Sequence, residues 1–130
     1  MAWIKACEPA SSWQKSDVVL DGVINPDYVK TGTIAEDTGY LTVTCTSGQN
    51  GGTITGVDLT NYSTLSFDAQ NNSSSCYAAV RVSGTNVSLP ANTTRQTLTL
   101  NVSGVTGIQP IELFCFGSWG TFKVYNITLS

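Results

Sequence analysis

The sequence predicts an all-β protein, an antiparallel sandwich or barrel, and three observations support this. Apolar and polar residues alternate with a period of two along the whole chain, without helical periodicity. Turn sequences rich in Gly, Asn, Ser and Pro recur about every ten residues, as in antiparallel sandwiches. Charged residues make up only 12 % of the chain, whereas Ser, Thr and Asn, which suit the outer faces of strands, make up about a third.

The alternation predicts ten strands, each bounded by a turn sequence. They are Asp17–Leu20, Thr33–Ala35, Tyr40–Thr46, Thr53–Val57, Thr64–Gln70, Cys76–Val82, Val87–Leu89, Gln96–Val102, Gln109–Gly117 and Thr121–Leu129. A single helical turn is predicted, at Asn25–Val29, because asparagine is a good cap and proline suits the first helical position.

We expect one domain over residues 1–130, in which residues 1–30 are the least regular segment. Trp3 and Trp13 in that segment are interpreted as structural anchors. The first residues lack the apolar run of a signal peptide, and no run is long enough to span a bilayer. A net charge of −3 and six scattered Lys and Arg residues argue against nucleic acid as a partner.

The four cysteines, Cys7, Cys45, Cys76 and Cys115, are far apart in the sequence. Strand parity places the last three on inward faces, so we expect small core residues there. Buried free thiols are favoured over disulfides, although four cysteines allow three pairings. Reduced thiols fit a protein made in a cytoplasm. The absence of histidine and of a Cys-x-x-Cys motif argues against a zinc site.

Two stretches carry a more specific pattern. Val57–Gln70 is a strand end, an Asp-Leu-Thr-x-Tyr sequence and a strand with alternate apolar residues. Gln96–Gly117 is a strand ending in Asn-Val-Ser-Gly, a glycine-containing turn and a long apolar strand. The closing sequence FKVYNITLS, with a bulge near Asn126, would turn three apolar residues inward, namely Val124, Ile127 and Leu129.

This combination resembles galactose-binding-like jelly-roll domains. That group includes many carbohydrate-binding modules and small structural proteins of phage and prophage tails of Gram-positive bacteria. The resemblance covers about residues 30–130 and implies a single jelly-roll sandwich with two apposed antiparallel sheets and Greek-key connections.

Catalysis is not expected, because a chain without histidine cannot form a Ser-His-Asp or Cys-His arrangement. Glu36, Asp68 and Glu112 are the strand-borne acids available to a glycosidase, and each alternates onto a surface face. No cofactor is expected. Jelly-roll relatives often hold a structural calcium ion, for which the first third of the chain offers Asp17, Asp21, Asp27, Glu36 and Asp37. Solvated and capping roles are favoured for these acids.

The candidate functional residues are aromatic and charged side chains on outward strand positions and in one turn. The candidate ligand-binding residues are Trp119, in the turn sequence GSWG, and Tyr77 and Arg81. The candidate subunit-interface residues are Phe114, Phe116 and Glu112, since phenylalanine has no polar edge to offer a sugar. A third interpretation is that loops or residues 1–30 cover these rings.

Two non-enzymatic functions remain open. The favoured one is a phage or prophage virion or tail structural protein, assembled in the bacterial host cytoplasm. It would form homo-oligomers or contact other tail subunits, and would also contact host glycans. The alternative is a carbohydrate-binding module of a secreted or cell-surface bacterial protein, with polysaccharide as its partner. Neither function involves nucleic acid or a membrane.

Overall fold

The structure, a computed structural model, describes residues 17–46, 51–117 and 120–130. These residues form twelve strands and are all-β. The strands are β1 (Val18–Asp21), β2 (Val23–Ile24), β3 (Val29–Gly32), β4 (Ile34–Asp37), β5 (Tyr40–Cys45), β6 (Gly51–Thr55), β7 (Thr64–Asn71), β8 (Cys76–Val82), β9 (Thr85–Leu89), β10 (Thr93–Asn101), β11 (Ile111–Gly117) and β12 (Gly120–Leu129).

The strands form two antiparallel sheets that face each other as a jelly-roll sandwich. The five-stranded sheet has the order β9-β8-β11-β6-β3, and the seven-stranded sheet contains β10-β7-β12 at one side. The long strand β12 pairs with β5 along its first half and with β1 along its second half. On the far side of these strands, β4 pairs with β5 and β2 pairs with β1. From β5 to β12 the chain alternates between the sheets except at the β8–β9 hairpin.

The core lies between the two sheets and is built from the inward positions of every long strand. In β7 these are Leu65, Phe67 and Ala69, each at most 2 % exposed. The predicted bulge in β12 is confirmed: Val124 pairs with Ala69 and Asn126 with Asp68, which leaves Tyr125 as the extra residue. The bulge restores the inward parity of the end of the strand, so three apolar residues are buried, namely Val124, Ile127 and Leu129.

The start of β8, which carries one of the candidate ligand-binding residues, is fixed by a buried asparagine. The Asn71 amide donates to the carbonyls of Cys76, Leu89 and Pro90 at 2.9, 3.0 and 3.1 Å. Its oxygen accepts the backbone N–H of Ser73 at 3.1 Å. This side chain therefore ties the β7–β8 turn to the end of β9.

The predicted helical turn at Asn25–Val29 is wrong. Asn25 does cap a turn, because its side-chain oxygen accepts the backbone N–H of Asp27 at 3.0 Å and its carbonyl accepts that of Tyr28 at 3.0 Å. Instead of continuing as a helix, the chain enters β3 at Val29 and pairs with β6. Tertiary strand pairing overrides the local capping signal. The short strands β2 and β3 were not predicted.

No helix in the described residues has the length and apolarity needed to cross a membrane. Of the four cysteines, Cys45, Cys76 and Cys115 are fully buried and free, as the parity argument predicted. Trp3, Cys7, Trp13 and Trp119 lie outside the described residues.

Candidate functional site

Five of the six candidate site residues meet on one surface, the outer side of β8 and β11. Residues that face each other across this strand pair include Tyr77 with Phe116 and Arg81 with Glu112. We call this surface the Tyr77 face; it is formed by Tyr77, Arg81, Glu112, Phe114 and Phe116. The sixth candidate, Trp119, is outside the described residues, so its placement stays a prediction.

The aromatic side chains of the Tyr77 face are in contact with one another. The rings of Tyr77 and Phe116 are parallel, with an interplanar angle of 1° and centroids 5.7 Å apart. Phe114 is tilted against Phe116 at 5.9 Å. Tyr77 is 47 % exposed, whereas Phe114 is only 4 % exposed. Tyr77 is therefore the most exposed ring of this cluster, Phe116 packs against it, and Phe114 packs against Phe116.

The charged side chains of the face form an ion pair beside the rings. An Arg81 guanidinium nitrogen donates to the Glu112 carboxylate at 2.7 Å, and both side chains are about one-third exposed, at 33 % and 30 %. This hydrogen bond raises the pKa of Arg81. The guanidinium carbon also lies 4.5 Å from the centre of the Phe114 ring, a cation–π contact that covers this phenylalanine. A guanidinium carries five N–H donors and a carboxylate two acceptor oxygens, so the pair has more hydrogen-bonding groups than its own contact uses.

Polar side chains extend this arrangement across all five strands of the sheet. The strand registers place Thr31 opposite Thr53, Thr53 opposite Glu112, Glu112 opposite Arg81 and Arg81 opposite Asn86. The hydroxyls of the two threonines are 2.6 Å apart. Strands are spaced about 4.8 Å apart, so the row is roughly 19 Å long. It is long enough to follow an extended oligosaccharide and not only a single sugar ring.

A depression of about 310 Å³ lies along the part of this row that is nearest β3. Its lining consists of Thr31, Gly32, Gly51, Gly52, Thr53, Glu112 and Phe114. Gly51, which faces Phe114 across the strand pair, carries no side chain over β6 at this point. The Tyr77 face thus combines an aromatic cluster with an adjacent shallow groove that exposes polar and apolar groups in about equal measure.

The outer side of the seven-stranded sheet carries a second aromatic cluster that sequence reasoning did not identify. Tyr40 and Tyr125 lie 5.7 Å apart there. Arg95 lies 3.9 Å from the Tyr125 ring centre and Lys123 lies 4.7 Å from that of Tyr40. We call this surface the Tyr125 face. Each of its rings already has a cation against it, and the Tyr125 hydroxyl donates to Gln70 at 2.7 Å. The aromatic and charged groups of this cluster therefore already bind one another.

The acids proposed for calcium binding are engaged separately. Asp17 accepts the Tyr62 hydroxyl at 2.5 Å, Asp37 accepts that of Thr42 at 2.5 Å, and Glu36 accepts the Ile24 N–H at 3.3 Å. Within residues 17–46, 51–117 and 120–130, no three His, Cys, Asp or Glu side chains are grouped to hold a metal ion. The expectation that the protein has no cofactor, with a structural calcium ion as the less favoured alternative, stays a prediction.

Sequence parity identified the aromatic and charged members of the Tyr77 face, but not Thr31, Thr53 or Asn86. These three come from β3, β6 and β9, and their alignment with Arg81 and Glu112 depends on strand register. No local signal in the sequence specifies which distant strands become neighbours.

No protein-family model and no curated protein matches the sequence. Several solved structures are similar to this chain. A mutant of a carbohydrate-binding module of family 29 aligns with a TM-score of 0.64 and 17 % identity, over 86 % of this chain and 88 % of that one. A second mutant of a family 29 module, complexed with mannohexaose, aligns with a TM-score of 0.63 and 15 % identity, over 86 % and 88 %.

A family 11 carbohydrate-binding module from Clostridium thermocellum, in complex with a β-1,3-1,4-mixed-linked tetrasaccharide, aligns with a TM-score of 0.50 and 16 % identity, over 81 % of this chain and 84 % of that one. A bacteriophage tailspike aligns over only 19 % of its own length with a TM-score of 0.49, which is too weak to support an inference. These likenesses establish that the chain has the β-sandwich fold of carbohydrate-binding modules, in agreement with the predicted jelly roll.

Proposed function

We propose that this protein is a non-catalytic carbohydrate-binding domain that binds a polysaccharide chain on the Tyr77 face. The observation that carries the proposal is the exposed Tyr77 ring, stacked on Phe116, on the same outer face as the Arg81–Glu112 ion pair. Flat aromatic rings cover the apolar C–H face of a sugar, while charged and amide groups bind its hydroxyls. The fold of carbohydrate-binding modules supports the same function.

The proposed path of an oligosaccharide has two parts. From the Tyr77 ring it follows β8 and β11 past Phe116 and Phe114 to the ion pair, and from there it crosses the strands along the threonines into the depression over β3 and β6. The two charges of the row neutralise each other, and the remaining groups are hydroxyls and amides. A neutral polysaccharide therefore suits this surface better than a polyanion, which would also be repelled by the net charge of −3.

Of the two functions that the sequence left open, we therefore propose the carbohydrate-binding module and not the phage structural protein. The phage or prophage virion role, with its tail subunits and homo-oligomer, finds no support in the comparisons. Binding of an external polysaccharide goes with a secreted or cell-surface location, which we propose here. The non-catalytic character is supported by two of the strand-borne acids, because Glu112 is paired with Arg81 and Asp68 with Arg95.

Substitution of Tyr77 tests this function. We expect Tyr77→Ala to weaken binding to soluble mannan or mixed-linkage β-glucan at least about fivefold, since the loss of a stacking ring costs on the order of 1 kcal/mol or more. Affinity electrophoresis over a panel of polysaccharides, followed by calorimetry on the best ligand, measures the change. Tyr40→Ala, on the opposite sheet, is the matched control and should bind like the parent. Equal binding by parent and Tyr77→Ala would refute the assignment of this face.

A further inference from the structure

Charged residues are rare in the five-stranded sheet that carries the Tyr77 face. Its five strands contain three of them, Lys30, Arg81 and Glu112. Lys30 has the parity of the inward side, because it pairs with the buried Ile54, and its ammonium group donates to the Ile34 carbonyl at 3.1 Å. Arg81 and Glu112 are therefore the charged side chains that these strands place on the outer surface.

The Arg81 guanidinium is held on this surface by two contacts. One of its terminal nitrogens donates to the Glu112 carboxylate at 2.7 Å, and its central carbon lies 4.5 Å from the centre of the Phe114 ring. The attraction between a guanidinium and the face of an aromatic ring does not depend on the carboxylate. Loss of the Glu112 charge would therefore leave the guanidinium on the ring, without its anionic partner.

The ion pair lies where the two parts of the proposed oligosaccharide path meet. Strand β11 is the middle strand of the sheet, and β8 is its neighbour. Along the polar row the pair is flanked by Asn86 on β9 and by Thr53 on β6, which are both uncharged. A sugar chain on this path meets the ion pair and, among the described outward side chains of the five strands, no other charge.

This arrangement treats neutral and acidic sugars differently. A guanidinium is well suited to a carboxylate, which it can bind through two parallel N–H···O bonds. In the Tyr77 face Glu112 already supplies the carboxylate. A uronic acid residue could bind Arg81 only by displacing Glu112 or by lying next to it, where the two negative charges repel each other. The hydroxyls of a neutral sugar bring no charge and can bond to the ion pair as it stands.

We propose that Glu112 is a specificity-determining residue, which makes the Tyr77 face select uncharged polysaccharides by keeping Arg81 from the carboxylates of uronic acids. This inference rests on the proposed function and adds the class of polysaccharide that the site rejects. Arg81 is the group that would bind an acidic sugar, and Glu112 blocks it. Removal of the Glu112 charge then gives the face an affinity for polyuronates.

Glu112→Gln tests this selectivity on the full chain. The substitution removes the negative charge and keeps the length of the side chain and one acceptor oxygen. Affinity electrophoresis and calorimetry with polygalacturonate, and in parallel with neutral mixed-linkage β-glucan, measure its effect. We expect the association constant for polygalacturonate to rise at least about fivefold over the parent, the size that a partly exposed charge-assisted hydrogen bond supports. The gain should shrink as salt is added.

Two further variants show whether the gain comes from Arg81. Glu36→Gln is the matched control, because it makes the same change in net charge at an exposed acid of β4. Glutamine can also still accept the Ile24 N–H that Glu36 accepts at 3.3 Å. This variant should bind polygalacturonate as weakly as the parent. Arg81→Gln combined with Glu112→Gln should lose the gain, while circular dichroism confirms that each variant folds.

The possible results separate this inference from the proposed function. An unchanged affinity of Glu112→Gln for polygalacturonate, an equal gain in Glu36→Gln, or a gain that survives in the double variant would overturn the role of Glu112. So would a parent that binds polygalacturonate as tightly as Glu112→Gln does. The proposed function fails on a different result, namely a parent that binds no neutral polysaccharide or binds it equally well after Tyr77→Ala.

Discussion

Asp68 is the most densely bonded acid on the outer side of the seven-stranded sheet. Its carboxylate accepts the Thr97 hydroxyl at 2.6 Å and an Arg95 nitrogen at 3.1 Å. The Thr97 hydrogen bond is the main reason why the pKa of Asp68 is below its usual range, with a further contribution from Arg95. A lowered pKa in the folded state means that Asp68 stabilises the fold when it is ionised.

We therefore expect the contribution of Asp68 to depend on pH in a defined direction. It is fully present above the unfolded pKa of about 3.9 and is lost as the pH falls through the lower folded value. Asp68→Asn should reduce the free energy of unfolding by about 1 kcal/mol at neutral pH and progressively less in acid. Urea unfolding at a series of pH values measures this difference.

The matched control for Asp68 is Thr99→Ala, an exposed position on the same strand as Thr97. Its effect on stability should not change with pH. A deficit in Asp68→Asn that stays constant down to the acid end would contradict the role given to this carboxylate.

At the scale of elements, the path of β6 depends on glycine. Gly52 pairs with Gly32 on one side and with Leu113 on the other. A Cβ atom there would lie 2.2 Å from the Thr31 carbonyl oxygen and 2.6 Å from the Ile34 side chain. At Gly52 the backbone of β6 therefore lies close to β3 and to the buried Ile34 side chain, and the space between them does not admit a methyl group.

Gly52→Ala should consequently destabilise the protein. Forcing a methyl group against backbone atoms in a packed region costs about 1–3 kcal/mol. Thr55→Ala, on the same strand, removes one exposed hydrogen bond to the Val29 carbonyl and should cost less than about 1 kcal/mol. Urea denaturation compares the two variants, and equal losses of stability would show that close packing at Gly52 is unimportant.

Local patterns predicted the long strands well and the short ones poorly. Cys76–Val82 was predicted with the observed bounds, because its inward residues are all apolar and its ends carry turn sequences. Strand β3 was missed because all four of its residues are exposed at a sheet edge, so no alternation marks it. It forms by pairing with β6, which is distant in the sequence.

In the candidate site, too, local patterns predicted some residues and missed those that depend on the pairing of distant strands. Parity placed Tyr77, Arg81 and Glu112 on outward positions, since each belongs to a strand with a clear apolar side. The polar row that continues to Thr31 and Asn86 was not predictable, because it is created by the order of five strands drawn from different parts of the chain. The Tyr125 face was missed for a related reason, since Tyr40 and Tyr125 are adjacent only through the pairing of β5 with β12.

At the scale of the whole molecule, the alternation of the chain between two sheets leaves two large outer surfaces with different characters. On the Tyr125 face, cations lie against both rings. On the Tyr77 face, an exposed tyrosine shares the surface with a row of polar groups and a shallow depression. This asymmetry is the reason why we assign polysaccharide binding to the five-stranded sheet.

Titration of the isotopically labelled full chain with oligosaccharides, followed by two-dimensional NMR, tests that assignment most directly. Mannohexaose and a β-1,3-1,4-linked tetrasaccharide are suitable first ligands, since structurally similar modules were solved with them. We expect saturable shifts at Tyr77, Arg81, Glu112 and Phe116, extending to Thr53, while Tyr40 and Tyr125 stay unchanged. Shifts confined to the Tyr125 face, or no shift with any oligosaccharide of a broad panel, would contradict it.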